Sequence, residues 1–177
     1  MSLINVQVSV NADQLSTQVR DGSIPAGNVN QPTNLGSYSS SDVFISMVAQ
    51  DNVVANDQGK SELRINAVAG DAIRWSMTTL DDNARNTAFL YDGHFNPSTC
   101  ITPLTYFNMH TKLYLPAGAE PKNGVIVEYD SYDYVAQGSI IEPGQTIQYT
   151  LSFKLIDNSN GQVIGYFTWD PFINVAQ

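Results

Sequence analysis

Two histidines, a cysteine and a methionine lie close together along this chain: His94, Cys100, Met109 and His110. A blue-copper centre takes these ligand types, with two His and one Cys around the metal and a weak axial Met. The spacing argues against one. Met109 and His110 are adjacent, and neighbours in a strand point to opposite faces. The set also lies mid-chain, ahead of several strand-like runs, so Cys100 reads as a core residue and the histidines as polar surface or loop positions. No metal or cofactor is implied.

Nucleophilic catalysis has no better footing. The chain lacks a Gly-x-Ser-x-Gly elbow, and two histidines among many Ser and Asp residues define no triad. A glycosidase pair needs two acids about 5–10 Å apart in a cleft, which no spacing here locates. The chain reads as a non-enzyme. Asp81-Asp82-Asn83 marks a turn, and Glu128-Tyr129-Asp130-Ser131-Tyr132-Asp133-Tyr134 alternates acids with aromatics. No Asp-x-Asp-x-Asp-Gly register accompanies them, which excludes an EF-hand. Tyr129, Asp130, Tyr132, Asp133 and Tyr134 are the candidate ligand or partner surface, since loop carboxylates and exposed Tyr suit glycan or protein contacts. The simpler alternative is a solvated hairpin with its Tyr residues packed.

The elements that would position these residues are strands. Ile4, Val6, Val8 and Val10 alternate with polar residues, as do Leu63, Ile65 and Ala67, then Ile73, Trp75 and Met77. The longest alternation is Ile147, Tyr149, Leu151, Phe153 and Leu155. One apolar and one polar face is the pattern of antiparallel sheets on a shared core. Further strands are expected near Val43–Gln50, Thr87–Tyr91, Leu104–Leu115, Gly124–Tyr129 and Tyr132–Gln137. Turns at Ala69-Gly70-Asp71, Glu142-Pro143-Gly144-Gln145 and Asp157-Asn158-Ser159-Asn160-Gly161 separate them. Gly70 and Gly144 each precede an Ile and then an aromatic on the same strand face, an echo too short to mark a repeat.

The reading is an all-β antiparallel β-sandwich, jelly-roll or immunoglobulin-like, of about eight to ten strands. It spans residues 1–177 as a single domain, with a long surface loop at about 18–41. A second irregular stretch is expected at Asp92–Pro103.

Composition narrows the partners. Charged residues make up 14% of the chain, against ~25% in an average soluble domain. Asn, Gln, Ser and Thr must carry solubility, and such a surface resists self-association weakly. The net charge of −9, with eight scattered Lys and Arg, leaves no phosphate-facing patch for nucleic acid and disfavours anionic membrane surfaces. A single cysteine permits no internal disulfide. The alternating N-terminus lacks the regions of a signal peptide, so a cytoplasmic location is expected. No apolar run approaches a membrane span.

The ending Gly165-Tyr166-Phe167-Thr168-Trp169-Asp170-Pro171-Phe172-Ile173-Asn174-Val175 resembles the bacterial PixA/AidA inclusion-body protein family, whose members close on a Gly-Tyr-Phe-x-Trp-Asp-Pro-x-Ile-x-Val pattern. Met1–Val6 and Ala69–Trp75 are similar to the family's opening strand and central strand entry. Asp81–Ser139 carries no matching motif. The resemblance implies a small protein of cytoplasmic inclusion bodies with quorum-sensing-regulated expression in host-associated bacteria, a homo-oligomer with no catalytic residues to carry over. Methionine storage, suggested for the family, does not suit a chain with only 4 Met. Gly165, Tyr166, Phe167, Trp169, Asp170 and Pro171 read as structural, in a strand covered on both faces that bends or ends at Pro171.

Overall fold

Alternation in the first strand sets the frame. β1 (Leu3–Val10) buries Ile4, Val6, Val8 and Val10 while Asn5, Gln7 and Ser9 face outward. Each such burial contributes roughly 1.5–3 kcal/mol relative to exposure. The structure, a computed structural model, describes residues 1–119 and 121–176; Glu120 and Gln177, which fall within the expected 1–177 domain, lie outside it. β1 pairs antiparallel with β3 (Ile45–Ala49) and parallel with β6 (Ala72–Thr79). β9 (Ile126–Ser139) and β8 (Thr105–Pro116) complete a five-stranded sheet ordered β3-β1-β6-β9-β8.

The second sheet, of seven strands, is built on β10 (Thr146–Asp157). One side of β10 takes β7 (Asn86–Asn96). Its other side takes β11 (Gln162–Trp169) and then β12 (Phe172–Val175) in succession. β2 (Thr33–Asn34) joins β11 and β5 (Arg64–Ala67) joins β12, both parallel, and β4 (Val54–Asn56) follows β5. The expected antiparallel architecture of eight to ten strands is therefore corrected to a mixed one, with twelve strands among the described residues. Alternation reports which face is buried but carries no strand direction, and parallel neighbours are joined by long crossovers that leave no local mark.

Four local features also differ from expectation. Ala12–Arg20 forms a helix, α1, capped by the Asn11 side chain, which accepts from the Gln14 backbone N–H at 3.3 Å. Only Ala12, Leu15 and Val19 of this polar segment pack inward, a stripe too thin to stand out in the sequence. The strands expected at 124–129 and 132–137 are one continuous β9, and β7 runs on through Asn96 into the stretch read as irregular. The 18–41 segment is also more than a surface loop. Its first residues belong to α1, Ser39–Asp42 forms a helical turn, α2, and the part between lies along β11. There Tyr166 N–H donates to Ala26 O at 2.7 Å and Leu35 N–H to Thr168 O at 2.9 Å. The loop thus covers an edge that would otherwise present bare hydrogen-bonding groups.

Residues from both sheets form one buried cluster. The chain's two tryptophans tie the sheets together in opposite directions. Trp75 in β6 donates its indole N–H to the Tyr149 hydroxyl in β10 at 3.2 Å, and Trp169 in β11 donates to Met47 Sδ in β3 at 3.3 Å. A buried indole needs such a partner. The closing motif behaves as its residues suggest at its centre: Phe167, Thr168 and Trp169 are all buried, so both faces are covered there, although Val163 is exposed. The strand stops at Trp169 and resumes beyond Pro171.

Candidate interaction surface

β6 pairs with β9 only over Val135–Ser139, whereas β8 pairs with β9 along its whole length, to Ile126 opposite Pro116. Beyond Val135 the two strands therefore leave the sheet as a two-stranded arm. Directly opposed residues share a face, so the register sorts its side chains. The inner face, continuous with Ala136 and the core, carries Tyr106, Asn108, Tyr134, His110, Tyr132, Lys112, Asp130, Tyr114, Glu128 and, at its tip, Pro116 and exposed Ile126. The outer face carries Asp133, Met109, Thr111, Ser131, Leu113, Tyr129, Leu115 and Val127.

The expected Tyr/Asp surface is thus divided. Asp130, Tyr132 and Tyr134 lie on the inner face, and Tyr129 and Asp133 on the outer. Nor do they form a hairpin turn, since the chain reverses beyond Pro116. The inner face satisfies its own charges. Asp130 binds the His110 ring at 2.7 Å, and Glu128 takes both the Lys112 ammonium and the Tyr114 hydroxyl, which together hold its carboxyl below the ordinary range. Tyr132 stacks on His110 with ring centroids 4.9 Å apart, and Tyr134 meets Tyr106 and Phe89. Burial beneath this cluster pushes the Tyr106 hydroxyl up to about 12.

The outer face is different in kind. Leu113, Leu115, Val127 and Tyr129 are exposed, and Val125, opposite Ala117 just past the strand ends, is 75% exposed. Leu113-Tyr114-Leu115 and Val125-Ile126-Val127 were visible in the sequence as runs apolar on both strand faces. Such runs are ordinarily central strands. Here they sit on an arm whose outermost strand is an edge.

The other chemistry-bearing residues stand apart. Cys100 is buried near the Glu142 carboxylate, at 3.8 Å, while His94 is exposed beside Asp92 and His110 belongs to the arm. Among the described residues, no group of three or more His, Cys, Asp or Glu is arranged to hold a metal ion. A cleft of about 910 Å³ lies between α1, residues 84–86 and the β10–β11 turn. Its guanidinium Arg85 already bridges Asp13 at 2.6 Å and Asp81 at 2.9 Å.

Two acids, Glu62 buried and Asp170 half-buried, lie where β11 breaks into β12. Glu62 Oε1 accepts the Tyr38 backbone N–H at 2.7 Å, and Asp170 Oδ2 accepts from Gln148 Nε2 at 3.0 Å. Asp170 Oδ1 is buried without a partner. Burial raises both carboxyls above the usual range, and the charge on Asp170 adds to the rise at Glu62.

Fold and surface together define a two-sheet β protein with an apolar projecting arm. The inclusion body protein family PixA matches residues 2–175, and the chain belongs to that family. Its fold is similar to the crystal structure of an inclusion body protein, PixA, from Burkholderia cenocepacia J2315. That likeness has a TM-score of 0.75 and 17% identity and covers 99% of this chain and 96% of that one. A cysteine protease inhibitor from Entamoeba histolytica aligns at a TM-score of 0.22 with 12% identity, over 63% of this chain and 84% of that one, which is too weak to bear on the fold. No curated protein matches the chain in sequence. No helix among the described residues is long and apolar enough to cross a membrane.

Proposed function

We propose that this protein is a non-enzymatic, self-associating member of its family that accumulates in cytoplasmic inclusions by packing against copies of itself. The observation that carries this reading is the β8–β9 arm, where exposed Leu113, Leu115, Val125, Val127 and Tyr129 form one uninterrupted apolar patch. Contiguous exposed apolar surface marks interaction sites, and a two-stranded ribbon alone is marginal in water. The low charged fraction of 14% supports the same reading, because little like-charge repulsion keeps copies apart. Sedimentation velocity over a wide concentration range at neutral pH tests it. Oligomers that grow with concentration are expected, and a strict monomer throughout would overturn it.

A second reading, a lectin-like glycan-binding module, has one observation in its favour. Exposed Tyr132, stacked on His110 beside Asp130, forms a small aromatic platform with hydrogen-bonding groups at its rim. A glycan array with and without calcium, repeated with Tyr132→Ala, tests it; no binding by either protein removes it.

A further inference from the structure

We propose, resting on that self-association, that the arm's outer face is a two-fold interface that packs against the same face of a second copy. Its make-up supports a second copy as the occupant. From Thr111 to Ala117 on β8, and from Val125 to Ser131 on β9, the outward positions are Thr, Leu, Leu, Ala, Val, Val, Tyr and Ser. None is charged, on a chain whose net charge is −9. Two copies of so acidic a protein repel wherever their carboxylates face each other. This face lets them meet without burying a charge. A basic partner would be drawn elsewhere, to the acidic surface, and would gain nothing from a neutral patch.

The opposite face completes the contrast. Its His110, Lys112, Glu128 and Asp130 are matched among themselves along the ribbon. Towards its tip the arm therefore carries its charges on the inner face, beside exposed Tyr114, Ile126 and Tyr132, and leaves the outer face between Thr111 and Ala117 and between Val125 and Ser131 without a charge. Two such ribbons stacked about 10 Å apart repeat the packing of the protein's own sheets. The two-fold relation makes the contact self-complementary and closes it as a dimer, so larger assemblies grow by further contacts between such dimers. A stable interface takes roughly 800 Å² from each partner; the outer patch supplies its apolar centre, and the flanking Phe107, Met109 and Asp133 of the same face supply a rim.

The test uses the full chain. Leu113→Glu and Tyr129→Glu replace exposed side chains on the outer face, and Tyr132→Ala alters the inner face. Val125→Glu, at a position 75% exposed, serves if either strand variant fails to fold by circular dichroism. Sedimentation velocity is expected to show at least a tenfold weaker dissociation constant for the outer-face variants and no change for Tyr132→Ala. Ser131→Cys labelled with pyrene, with native Cys100 buried, is expected to give excimer emission that Leu113→Glu abolishes. If the wild type self-associates and the outer-face variants do so equally well, this interface is wrong while self-association stands. A wild type that is monomeric at every concentration overturns both. A monomer whose arm captures a different protein overturns the choice of a second copy.

Discussion

The indole N–H of Trp75 in β6 reaches the hydroxyl of Tyr149 in β10 at 3.2 Å, joining the central strands of the two sheets through a buried hydrogen bond. The two residues hold corresponding places in two similar stretches of sequence. Each follows a glycine with positive φ, Gly70 at 93° and Gly144 at 79°, and an Ile, so the echo lies across the sandwich from itself. Phe95 stacks on Tyr149 with centroids 5.5 Å apart, which holds the hydroxyl on the Trp75 side.

Tyr149→Phe keeps that stacking and removes only the acceptor. The Trp75 N–H is then buried without a partner, at a cost of about 1–3 kcal/mol. Urea unfolding should show a lower midpoint with an unchanged slope. A Trp75→Phe/Tyr149→Phe double variant less destabilised than the sum of the singles would assign the loss to this bond.

Gly165→Ala tests the closing motif. A Cβ there would meet Phe167 Cζ at 2.5 Å and Ala26 O at 3.0 Å. The Phe167 ring is held against Phe153, with centroids 5.4 Å apart, so it has little room to move. A loss of about 1–3 kcal/mol is expected, measured as a drop in thermal midpoint. A neutral result would mean that the loop carrying Ala26 yields freely.

Burial raises the carboxyls of Glu62 and Asp170, so the folded chain holds these protons more tightly than the unfolded chain. The stability they contribute is complete below the unfolded carboxylate range, near ~4. It is lost as pH rises through the folded values. Glu62→Gln retains an acceptor for the Tyr38 N–H and removes the charge. Its thermal midpoint should exceed that of the wild type at pH 7.5 and converge with it near pH 4. A difference independent of pH would mean that charge burial is not its source.

Asn158 ties the β10–β11 turn to the segment before β7. Its Nδ2 donates to Asn83 O at 2.8 Å and Ala84 O at 3.3 Å, and its Oδ1 accepts from Thr87 Oγ1 at 2.7 Å. Asn158→Ala should cost about 1 kcal/mol in these exposed bonds and speed hydrogen exchange at residues 83–87. Unchanged exchange there would show that the turn stands without this link.

Much of the fold was legible because burial on one face imposes a period of two that any strand must obey. β1, β6 and β10 could be read from residues such as Val6, Trp75 and Leu151. Gly161, with a φ of 72°, marks the hairpin between β10 and β11 as its Asn-Gly pair suggested. The break at Asp170-Pro171 was legible from the proline's missing donor. Strand direction was not, because β1 and β6 are parallel through contacts that sequence spacing does not encode. α1 was missed because its inward stripe is only Ala12, Leu15 and Val19. The candidate surface was half visible: the Tyr and Asp residues of β9 stood out by type, but their division between two faces follows only from residues 126–139 being one continuous strand. The apolar outer face had its own sign in Leu113, Leu115, Val125 and Val127, but runs that are apolar on both strand faces are ordinarily buried central strands.

The break at Pro171 has a consequence for how the chain is made. β5 and β4 reach the rest of their sheet through β12, which pairs parallel with β5 from Phe172 to Val175. On the ribosome these early strands emerge long before residues 172–175 and have no place to dock until those residues clear the exit tunnel. The seven-stranded sheet is sealed by β12, the last along the chain of its described strands, so each nascent molecule stays open, and open to its neighbours on the polysome, until residues 172–175 have emerged.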